Sequence, residues 1–468
     1  MLRPVGPVRL TQRKGEHAVP PVAHAVSPRI EIVGKAPGGK HGKKPSEASC
    51  RDDQNNNPAV HTPPSLRSYY DLFPFEIDPN HDFCASMARH LRYRRAMSLS
   101  TESRSSVAIR DGQARTYVFP TGEDAESDGT LTWDHTDVVA VLVSADDEVG
   151  LGWTYTDPAA ATLISGKLLP ALAGKDVMSV PARWEDMVQA CRNLGRPGLV
   201  SQAIAAVDIA LWDLKARLLG EPLHRLFGAL RDAVPIYGSG GFVSMADDAL
   251  AKQIDDWLSV GCRAVKIKVG EAWGQDITRD MHRVALLNSA TPDGVQLMVD
   301  ANGAYTVGRA KRLGAVYDSL GVTWFEEPVS SEDLAGLAHL RATLTADVTA
   351  GEYADSVSYV QRMCAAGAVD CLQIDVTRCA GYTEWLRCAA VAASHNLDVS
   401  AHCAPSLHAS VAAAVPNLRH VEWFADHAAL EPLLVDHVPE ARRGQLHLND
   451  LTGHGMRIAE GAKTYRRT

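Results

Sequence analysis

The sequence of 468 residues predicts an α/β fold: a (β/α)8-type barrel with an N-terminal α+β capping domain. Three observations predict it. Eight short apolar segments alternate with helix-length stretches between residues 234 and 425. Polar residues near the ends of seven successive segments recur at intervals of 20 to 32 residues. Strand-like and then helical patterns precede the first segment. Alternating β and α units imply a parallel sheet, and eight units in about 200 residues imply a closed barrel.

The first 50 residues differ in composition from the rest of the chain. They contain nine Lys and Arg against three Glu, so they carry +6, while residues 51–468 carry −15 of the total charge of −9. Seven Pro and six Gly leave little apolar surface to offset the entropy of ordering. We therefore expect residues 1–65 to form a disordered basic extension. Residues 66–105 are expected to be a lead-in of unknown role. A targeting or nucleic-acid-binding arm is the alternative for the basic segment.

Residues 106–233 begin with strand-like patterns. Residues 107–109 and 115–119 flank Asp111-Gly112, which predicts a β-hairpin that turns at this pair. A polar loop follows at 122–129, and it is expected to close over the mouth of the barrel.

The second half of the predicted cap is helical. After the β-branched run at 138–143, apolar residues recur at the helical period over residues 201–219. Gly220 and Pro222 are expected to end that helix. The whole of 106–233 is therefore predicted to be one small α+β domain.

Residues 234–430 contain the units of the predicted barrel. Their β-like segments are 234–241, 264–270, 295–303, 322–329, 347–353, 369–376, 397–403 and 420–425. In a barrel the C-terminal ends of all strands meet on one face, so polar residues at those ends converge. We expect residues 431–468 to return to the capping domain.

Three carboxylates follow three successive apolar segments. Asp300, Glu326 and Glu352 each come directly after a segment that would be buried, where a carboxylate is costly unless a cation pairs with it. Taken singly, each is more simply explained as a helix cap or an ion-pair partner. Three in register, all oxygen donors, favour a shared hard cation, with Mg²⁺ first.

Two lysines lie on one strand of the predicted barrel. Lys266 and Lys268 alternate, so they share a face of the strand and point into the barrel mouth. Neighbouring ammonium groups lower each other's pKa. We therefore expect Lys268 to be a general base whose pKa Lys266 moves toward neutrality. A solvated pair on an edge strand is the alternative.

Three further polar residues end the last units. Asp375 and His402 follow neighbouring strands, so the carboxylate is expected to orient the imidazole and raise its basicity. Glu422 is expected to donate a proton to a substrate oxygen if burial raises its pKa. A structural histidine and a simple ion pair are the respective alternatives.

Taken together, these stretches resemble the enolase superfamily and, within it, the mandelate racemase group. The matching stretches are Lys266-Ile267-Lys268, Asp300-Ala301-Asn302-Gly303, Phe325-Glu326-Glu327-Pro328, Ala350-Gly351-Glu352, Asp375 with Gly381, Ser400-Ala401-His402, and Glu422. Residues 205–214 resemble the group's capping-domain helix, and the resemblance covers about residues 106–460. It implies Mg²⁺-dependent abstraction of the proton alpha to a carboxylate, through an enediolate.

The resemblance also implies a role for each matching residue. Asp300, Glu326 and Glu352 are expected to bind Mg²⁺. Lys268 and the His402–Asp375 pair are expected to act as acid/base groups on opposite faces of the substrate. Glu422 is expected to support the enediolate, and substrate binding is expected of Lys266, Asn302 and Glu422. The histidine argues against the muconate-lactonizing group, which places a lysine on strand six. A glutamate as third ligand argues against the glucarate dehydratase-like branch. The sequence departs from the family at residues 378–381, where a Gly-Gly pair is common.

Bases on both faces of a substrate permit two reactions. Loss of a β-hydroxyl, assisted by His402, gives dehydration of an acid sugar (aldonate or aldarate) to a 2-keto-3-deoxy acid, and we favour this because the resemblance makes it the commonest use of such a site. The four acidic residues of the loop at 122–129 agree with a hydroxyl-rich substrate. Reprotonation gives a racemase or epimerase of a 2-hydroxy acid. A catalytically silent binding protein is the third hypothesis, but no expected ligand or base is missing.

Composition excludes several other classes. The acidic balance argues against a nucleic-acid binder, and no apolar run reaches the ~18 residues of a membrane span. Nine cysteines without a Cys-x-x-Cys pair predict neither a zinc site nor a disulfide framework. We therefore expect a cytoplasmic homo-oligomer whose partner is a small carboxylate substrate.

Overall fold

The computed structural model describes residues 106–122 and 125–467. The expected basic extension (1–65) and lead-in (66–105) lie outside the described residues. Within the described ranges, no helix combines the length and the apolar character that crossing a membrane requires.

The capping domain combines small antiparallel sheets with a group of helices. Its strands are β1 Asp111–Pro120, β2 Glu126–Ser127, β3 Thr132–Trp133, β4 His135–Ala145 and β5 Glu148–Tyr155. Its helices are α1 Ala159–Leu163, α2 Leu169–Leu172, α3 Val180–Ala190, α4 Leu199–Leu219 and α5 Leu223–Leu226, with a π turn at Ile164–Leu168 and a 3-10 turn at Arg192–Leu194. The main sheet has the order β1-β4-β5, and β2 pairs with β3.

Helix α4 is the centre of the cap. It spans the predicted 201–219 and ends at Gly220, whose φ of 70° is the left-handed conformation that glycine adopts without strain. Most of its residues are buried, because it packs on the sheet on one side and on other helices on the other. The periodic apolar pattern and its stop signal are therefore confirmed.

The predicted hairpin at Asp111-Gly112 is wrong. These two residues begin strand β1, and Gly112 pairs with Val143 of β4 instead of turning the chain. The upstream residues join another part of the cap, where the Ile109 amide donates to the Lys175 carbonyl (2.9 Å). A Cβ at Gly112 would lie 2.5 Å from a Leu169 methyl, so the glycine marks close packing and not a turn.

The second part of the chain is a closed parallel barrel, as predicted. Its strands are β6 Ala233–Gly240, β7 Ala264–Lys268, β8 Gln296–Asp300, β9 Val322–Glu326, β10 Asp347–Ala350, β11 Cys371–Ile374, β12 Asp398–Ala401 and β13 Leu418–Phe424. The helices in this region are α6 Asp247–Val260, α8 Ile277–Ala290, α9 Val307–Ser319, α10 Leu334–Arg341, α11 Val357–Ala365, α12 Tyr382–Ser394, α13 Pro405–Ala412 and α14 Ala425–Leu434, and the segment α7 Glu271–Gly274 is a single turn whose two central residues are left-handed. Neighbouring strands pair in chain order, and β13 pairs with β6 to close the ring.

The register of the barrel fixes which strand-end residues are neighbours. Lys268 pairs with Asp300 across β7 and β8, and Asp300 pairs with Glu326 across β8 and β9. These strands are short, largely buried and mostly apolar, and each ends in a charged residue: Lys268, Asp300 or Glu326. This is the end where (β/α)8 enzymes place their active sites.

The C-terminal segment contacts both parts of the fold. It contains β14 Val435–Asp436, β15 Glu440–Arg442, β16 Gln445–His447, β17 Arg457–Ile458 and a 3-10 turn at Glu460–Tyr465. Strand β16 pairs antiparallel with the start of β6. Farther on, the Arg217 side chain of α4 donates to the Met456 carbonyl (2.8 Å), and the rings of Phe119 and Tyr465 lie 4.6 Å apart.

Candidate active site

Three carboxylates converge at the C-terminal ends of the barrel strands. Asp300 and Glu326 are the last residues of β8 and β9, and Glu352 lies two residues beyond β10. One oxygen from each lies within 4.8 Å of the other two, and the residues are at most 3% exposed. Negative charges this close and this buried repel unless a cation lies among them.

The donor set fits Mg²⁺. All three groups offer oxygen, which this hard ion prefers. Glu326 Oε1 and Glu352 Oε2 are buried and accept no hydrogen bond from any described residue. Two of the other oxygens face lysines, since Lys266 contacts Glu326 and Lys268 Nζ lies 2.5 Å from Asp300 Oδ2, while Asp300 Oδ1 accepts from a main-chain amide (2.9 Å). The cluster therefore has both the charge and the free lone pairs that a divalent ion needs.

The two lysines share the inner face of β7, as predicted, but their charge state differs from the prediction. Burial lowers the pKa of Lys268, and so does the charge of Lys266. The carboxylates of Asp300, Glu326 and Glu352 together outweigh both and raise that pKa above its ordinary value. The expected shift toward neutrality is therefore wrong for the metal-free protein, because the nearest charges to Lys268 are carboxylates.

Asp375 and His402 form a hydrogen-bonded pair at the ends of β11 and β12. The distance from His402 Nδ1 to Asp375 Oδ2 is 2.9 Å, and the Thr377 amide and hydroxyl hold the other carboxylate oxygen at 2.7 Å. Burial raises the pKa of Asp375, but the bond with His402 and its positive charge outweigh burial and lower that pKa.

The pKa of His402 shifts in the opposite direction. Burial lowers it, but the charge of Glu352 and the bond with Asp375 raise it above its ordinary value. The distance from His402 Nε2 to Glu352 Oε2 is 3.4 Å. The raised pKa therefore favours the protonated imidazole, and the bond to Asp375 at Nδ1 leaves Nε2 for the cavity.

Glu422 is an ionised carboxylate, contrary to the expectation of a raised pKa. Burial raises its pKa, but the charges of Lys266 (2.8 Å away), His402 and Lys268 together outweigh burial and lower it well below the ordinary value. Its Oε1 accepts from the Ser239 hydroxyl (2.6 Å), and its Oε2 accepts from the Cys403 amide (2.8 Å). In the free site Glu422 therefore has no proton to donate.

Asn302 lies just beyond Asp300 in a left-handed backbone conformation (φ 43°). Its amide nitrogen on the main chain donates to Asp300 Oδ1 (2.9 Å), while its side-chain oxygen Oδ1 has no hydrogen-bond partner among the described residues. The side chain is therefore available to a ligand, as a substrate contact requires.

All these groups except Lys266 and the first two carboxylates line one cavity of about 330 Å³ between cap and barrel. Its barrel side includes Lys268, Asn302, Glu352, Asp375, His402 and Glu422. Its cap side includes Asp128, Trp133 and Tyr155. The described part of the polar loop packs on barrel loops, since the Val243 amide donates to the Ser127 carbonyl (2.8 Å).

Arg378 is a cavity residue to which the sequence assigned no role. Its Nη1 donates to Glu352 Oε1 (2.8 Å), and its Nε lies 3.6 Å from Asp375 Oδ2. The departure from the family pattern at 378–381 pointed to this loop. In the structure Ala380 takes a glycine-like φ of 71°, and its carbonyl accepts from Trp184 Nε1 of the cap (2.9 Å).

Comparison with known proteins agrees with this architecture. Residues 129–228 match the family described as mandelate racemase/muconate lactonizing enzyme, N-terminal domain, and residues 249–462 match the enolase C-terminal domain-like family. The chain belongs to the mandelate racemase/muconate lactonizing enzyme family. It is therefore an enzyme of the enolase superfamily.

Two curated members of this family illustrate the relationship. L-talarate/galactarate dehydratase of Salmonella typhimurium is 31% identical over 70% of this chain and 82% of its own length. The 3,6-anhydro-α-L-galactonate cycloisomerase of Streptomyces coelicolor is 33% identical over 67% of this chain and 87% of its own length.

Solved structures of family members show the same fold. A mandelate racemase/muconate lactonizing enzyme-like protein from Rubrobacter xylanophilus is 40% identical, with a TM-score of 0.74 over 77% of this chain and 100% of that one. The S. typhimurium dehydratase with Mg and L-lyxarohydroxamate is 27% identical, with a TM-score of 0.73 over 79% and 95%.

Proposed function

We propose that this enzyme uses Mg²⁺ to remove the proton alpha to the carboxylate of an acid sugar and then expels a β-hydroxyl, which gives a 2-keto-3-deoxy acid. The observation that carries the proposal is that Lys268, the His402–Asp375 pair and Glu352 of the carboxylate cluster line one cavity. Relatives named as talarate/galactarate, gluconate and arabinonate dehydratases support it.

Asp300, Glu326 and Glu352 would hold the metal. When bound, Mg²⁺ supplies positive charge that stabilises the enediolate formed when the α-proton leaves. The protein contributes the three carboxylates in fixed positions, because each lies at or just beyond the end of a strand whose neighbours are hydrogen-bonded to it.

Lys268 is assigned as the base that removes the α-proton at Nζ. It must release its own proton first, and in the metal-free site Asp300 opposes that release. Neutralising the carboxylate cluster removes this attraction, and the adjacent Lys266 ammonium then lowers the pKa of Lys268. The geometry on β7 therefore makes base activity conditional on a loaded site.

His402 is assigned as the acid that protonates the leaving hydroxyl from Nε2. Its raised pKa favours the protonated form that an acid needs, and Asp375 fixes the ring by holding Nδ1. A protonated imidazole opposite a lysine base suits dehydration, which needs one base and one acid.

Glu422, Lys266 and Asn302 are assigned to substrate binding. A substrate carboxylate next to Glu422 brings a second negative charge, which raises the pKa of Glu422 so that it can take up a proton and donate a hydrogen bond. Lys266 keeps Glu422 in place through the 2.8 Å contact. The free side-chain oxygen of Asn302 accepts from a substrate hydroxyl.

An epimerase or cycloisomerase is the second candidate, because the same two acid/base groups permit reprotonation and two relatives are named cycloisomerases. A library experiment separates the two functions. The protein with Mg²⁺ is incubated with mono- and diacid sugars, and 2-keto acid is measured with semicarbazide. We expect 2-keto acid from at least one sugar. No product, together with α-proton exchange into D₂O on a 2-hydroxy acid, would identify the epimerase.

Association of the protein into a homo-oligomer stays a prediction, and light scattering measures it.

A further inference from the structure

A second group of potential metal ligands lies beside the carboxylate cluster. His402, Cys403 and Glu422 each offer one donor atom, and these atoms lie within 4.8 Å of one another. The three residues are at most 5% exposed and all line the cavity. They offer nitrogen, sulfur and oxygen, whereas the carboxylate cluster offers oxygen alone.

The distances suit a tetrahedral ion. His402 Nε2 lies 3.3 Å from Cys403 Sγ and 3.9 Å from Glu422 Oε2. Bond lengths of about 2.0 to 2.3 Å at tetrahedral angles separate such donors by about 3.3 to 3.6 Å. The two distances from His402 lie within a few tenths of an ångström of this range, and the thiol and the Glu422 oxygen lie within 4.8 Å of each other.

The backbone brings the thiol to this position. Successive side chains of a strand point to opposite faces, so a thiol next to His402 would ordinarily point away from it. Cys403 instead lies just beyond β12 with φ at 50°, and Ala404 follows at 41°. This left-handed turn directs Sγ back to the nitrogen of the preceding residue. Two consecutive non-glycine residues rarely share this conformation.

The surrounding contacts orient the other two donors. Asp375 holds His402 at Nδ1, which leaves Nε2 for a metal, as carboxylates behind zinc-bound histidines do. Ser239 and Lys266 hold Glu422 at Oε1, and the Cys403 amide donates to Oε2 (2.8 Å), which leaves a second lone pair of Oε2 for a metal. A thiolate and an imidazole together favour Zn²⁺ over Mg²⁺.

We propose that His402, Cys403 and Glu422 form an inhibitory site for Zn²⁺ or another thiophilic divalent ion. As the metal binds, the Cys403 thiol and the protonated His402 imidazole at Nε2 each release one proton to solvent. The ion occupies Nε2 of His402 and so removes the acid of the reaction. Metal binding follows from the geometry alone, and only the inhibition depends on the proposed function.

Cobalt is the probe for binding. Full-length protein saturated with Mg²⁺ is titrated with Co²⁺, and absorbance is followed in the near ultraviolet, where thiolate-to-cobalt charge transfer appears. We expect a band that saturates at one equivalent, is lost in Cys403→Ser and Cys403→Ala, and weakens at least tenfold in affinity in His402→Asn. Cys191→Ser removes a buried cysteine of the cap and should retain the band. Co²⁺ on the carboxylate cluster gives no such band.

Two results would overturn the site: no band in the wild-type protein, or an equal band in both Cys403 variants while circular dichroism shows them folded. Inhibition is tested separately. For the wild type and for each variant, we measure the Zn²⁺ concentration that halves turnover of the sugar acid, relative to the rate of the same protein without Zn²⁺. We expect this concentration to rise at least tenfold in Cys403→Ser. A band without turnover of any sugar acid contradicts the proposed function and leaves the metal site standing. Turnover without a band contradicts the metal site and leaves the proposed function standing.

Discussion

Lys266 and Lys268 face the same buried space from one strand, and their partners give them different tasks. Lys266 contacts Glu326 and lies 2.8 Å from Glu422, so it serves as a fixed positive charge. Lys268 borders the cavity and contacts Asp300. Of the two, Lys268 is the one that a substrate can reach.

Replacement of the two assigned acid/base residues should separate the steps of the reaction. Lys268→Ala should abolish α-proton exchange into D₂O, because no other described lysine lines the cavity. His402→Asn should retain exchange but lower 2-keto acid formation by about 10²- to 10⁴-fold, the usual contribution of a general acid. Exchange measured by NMR and product measured with semicarbazide report the two steps. Exchange that survives unchanged in both variants would contradict the two-residue assignment.

At the scale of elements, the cap depends on the close approach of β5 to α4. A Cβ on Gly152 would lie 2.3 Å from the Ala206 carbonyl oxygen and 2.5 Å from the Ala210 nitrogen. These are backbone atoms of a long buried helix, which cannot move aside as a side chain does.

Gly152→Ala should therefore destabilise the protein by about 3 kcal/mol, at the upper end of the cost of overpacking. Gly166→Ala is the matched control, because a Cβ there meets no atom within 4 Å. Urea unfolding of the two variants gives the comparison. Equal midpoints would mean that β5 and α4 can separate without cost.

The small hairpin of β2 and β3 is joined to the barrel by two carboxyl groups. Glu126 on β2 lies against Asp426 at the start of α14, and it also accepts from Trp133 Nε1 (3.2 Å). Burial and the charge of Asp426 raise the pKa of Glu126 to about 9. Glu126 therefore keeps its proton at neutral pH and can donate to Asp426.

Loss of that proton should release the hairpin. Above about pH 9 both carboxylates are charged and repel, so proteolysis within residues 121–134 should accelerate as the pH rises through this value. Glu126→Gln keeps a neutral donor and should show no such acceleration. If cleavage of the two proteins rises in parallel, the carboxyl pair does not hold the hairpin.

At the scale of the whole molecule, buried polar contacts join cap and barrel. The Tyr155 hydroxyl of β5 donates to Glu431 of α14 (3.0 Å), and Thr383 of α12 donates to Asp208 of α4 through its amide (2.9 Å) and hydroxyl (2.6 Å). Burial raises the pKa of both Glu431 and Asp208 to about 7. The interface therefore contains two carboxyl groups that favour their neutral form.

These groups make stability depend on pH. Between about pH 4.5 and 7 the unfolded chain has lost the Glu431 proton and the folded protein has kept it, so the free energy of unfolding falls as the pH rises. A rise in pKa of this size corresponds to roughly 3 kcal/mol across that window. In Glu431→Gln the fall in the free energy of unfolding across this window should be smaller by about that amount, as measured by urea unfolding at several pH values. The exposed Glu185→Gln should leave the profile unchanged, and an unchanged profile in Glu431→Gln would contradict the assignment.

The sequence by itself determined the barrel, helix α4 and the convergence of Asp300, Glu326 and Glu352. Each of these follows from local patterns: the alternation of apolar segments, the helical period, and the position of a carboxylate at the end of a strand. Parallel strands in a ring convert such positions into neighbours without further information. The pairing of Asp375 with His402 follows from the same rule.

Only the tertiary structure decided the partner of β1, the charge states of Lys268 and Glu422, and the approach of Arg378 and Cys403 to the cavity. A strand's partner depends on packing against distant segments, as Leu169 over Gly112 shows. A pKa depends on charges that are close in space, and these are often far apart in the chain. The two neighbouring lysines on β7 therefore did not predict the pKa of Lys268 or of Glu422, because Asp300 contacts Lys268 and Glu422 lies 2.8 Å from Lys266. The positive φ of Cys403 leaves no periodic signal in the sequence, because it is a single turn imposed by the loop around it.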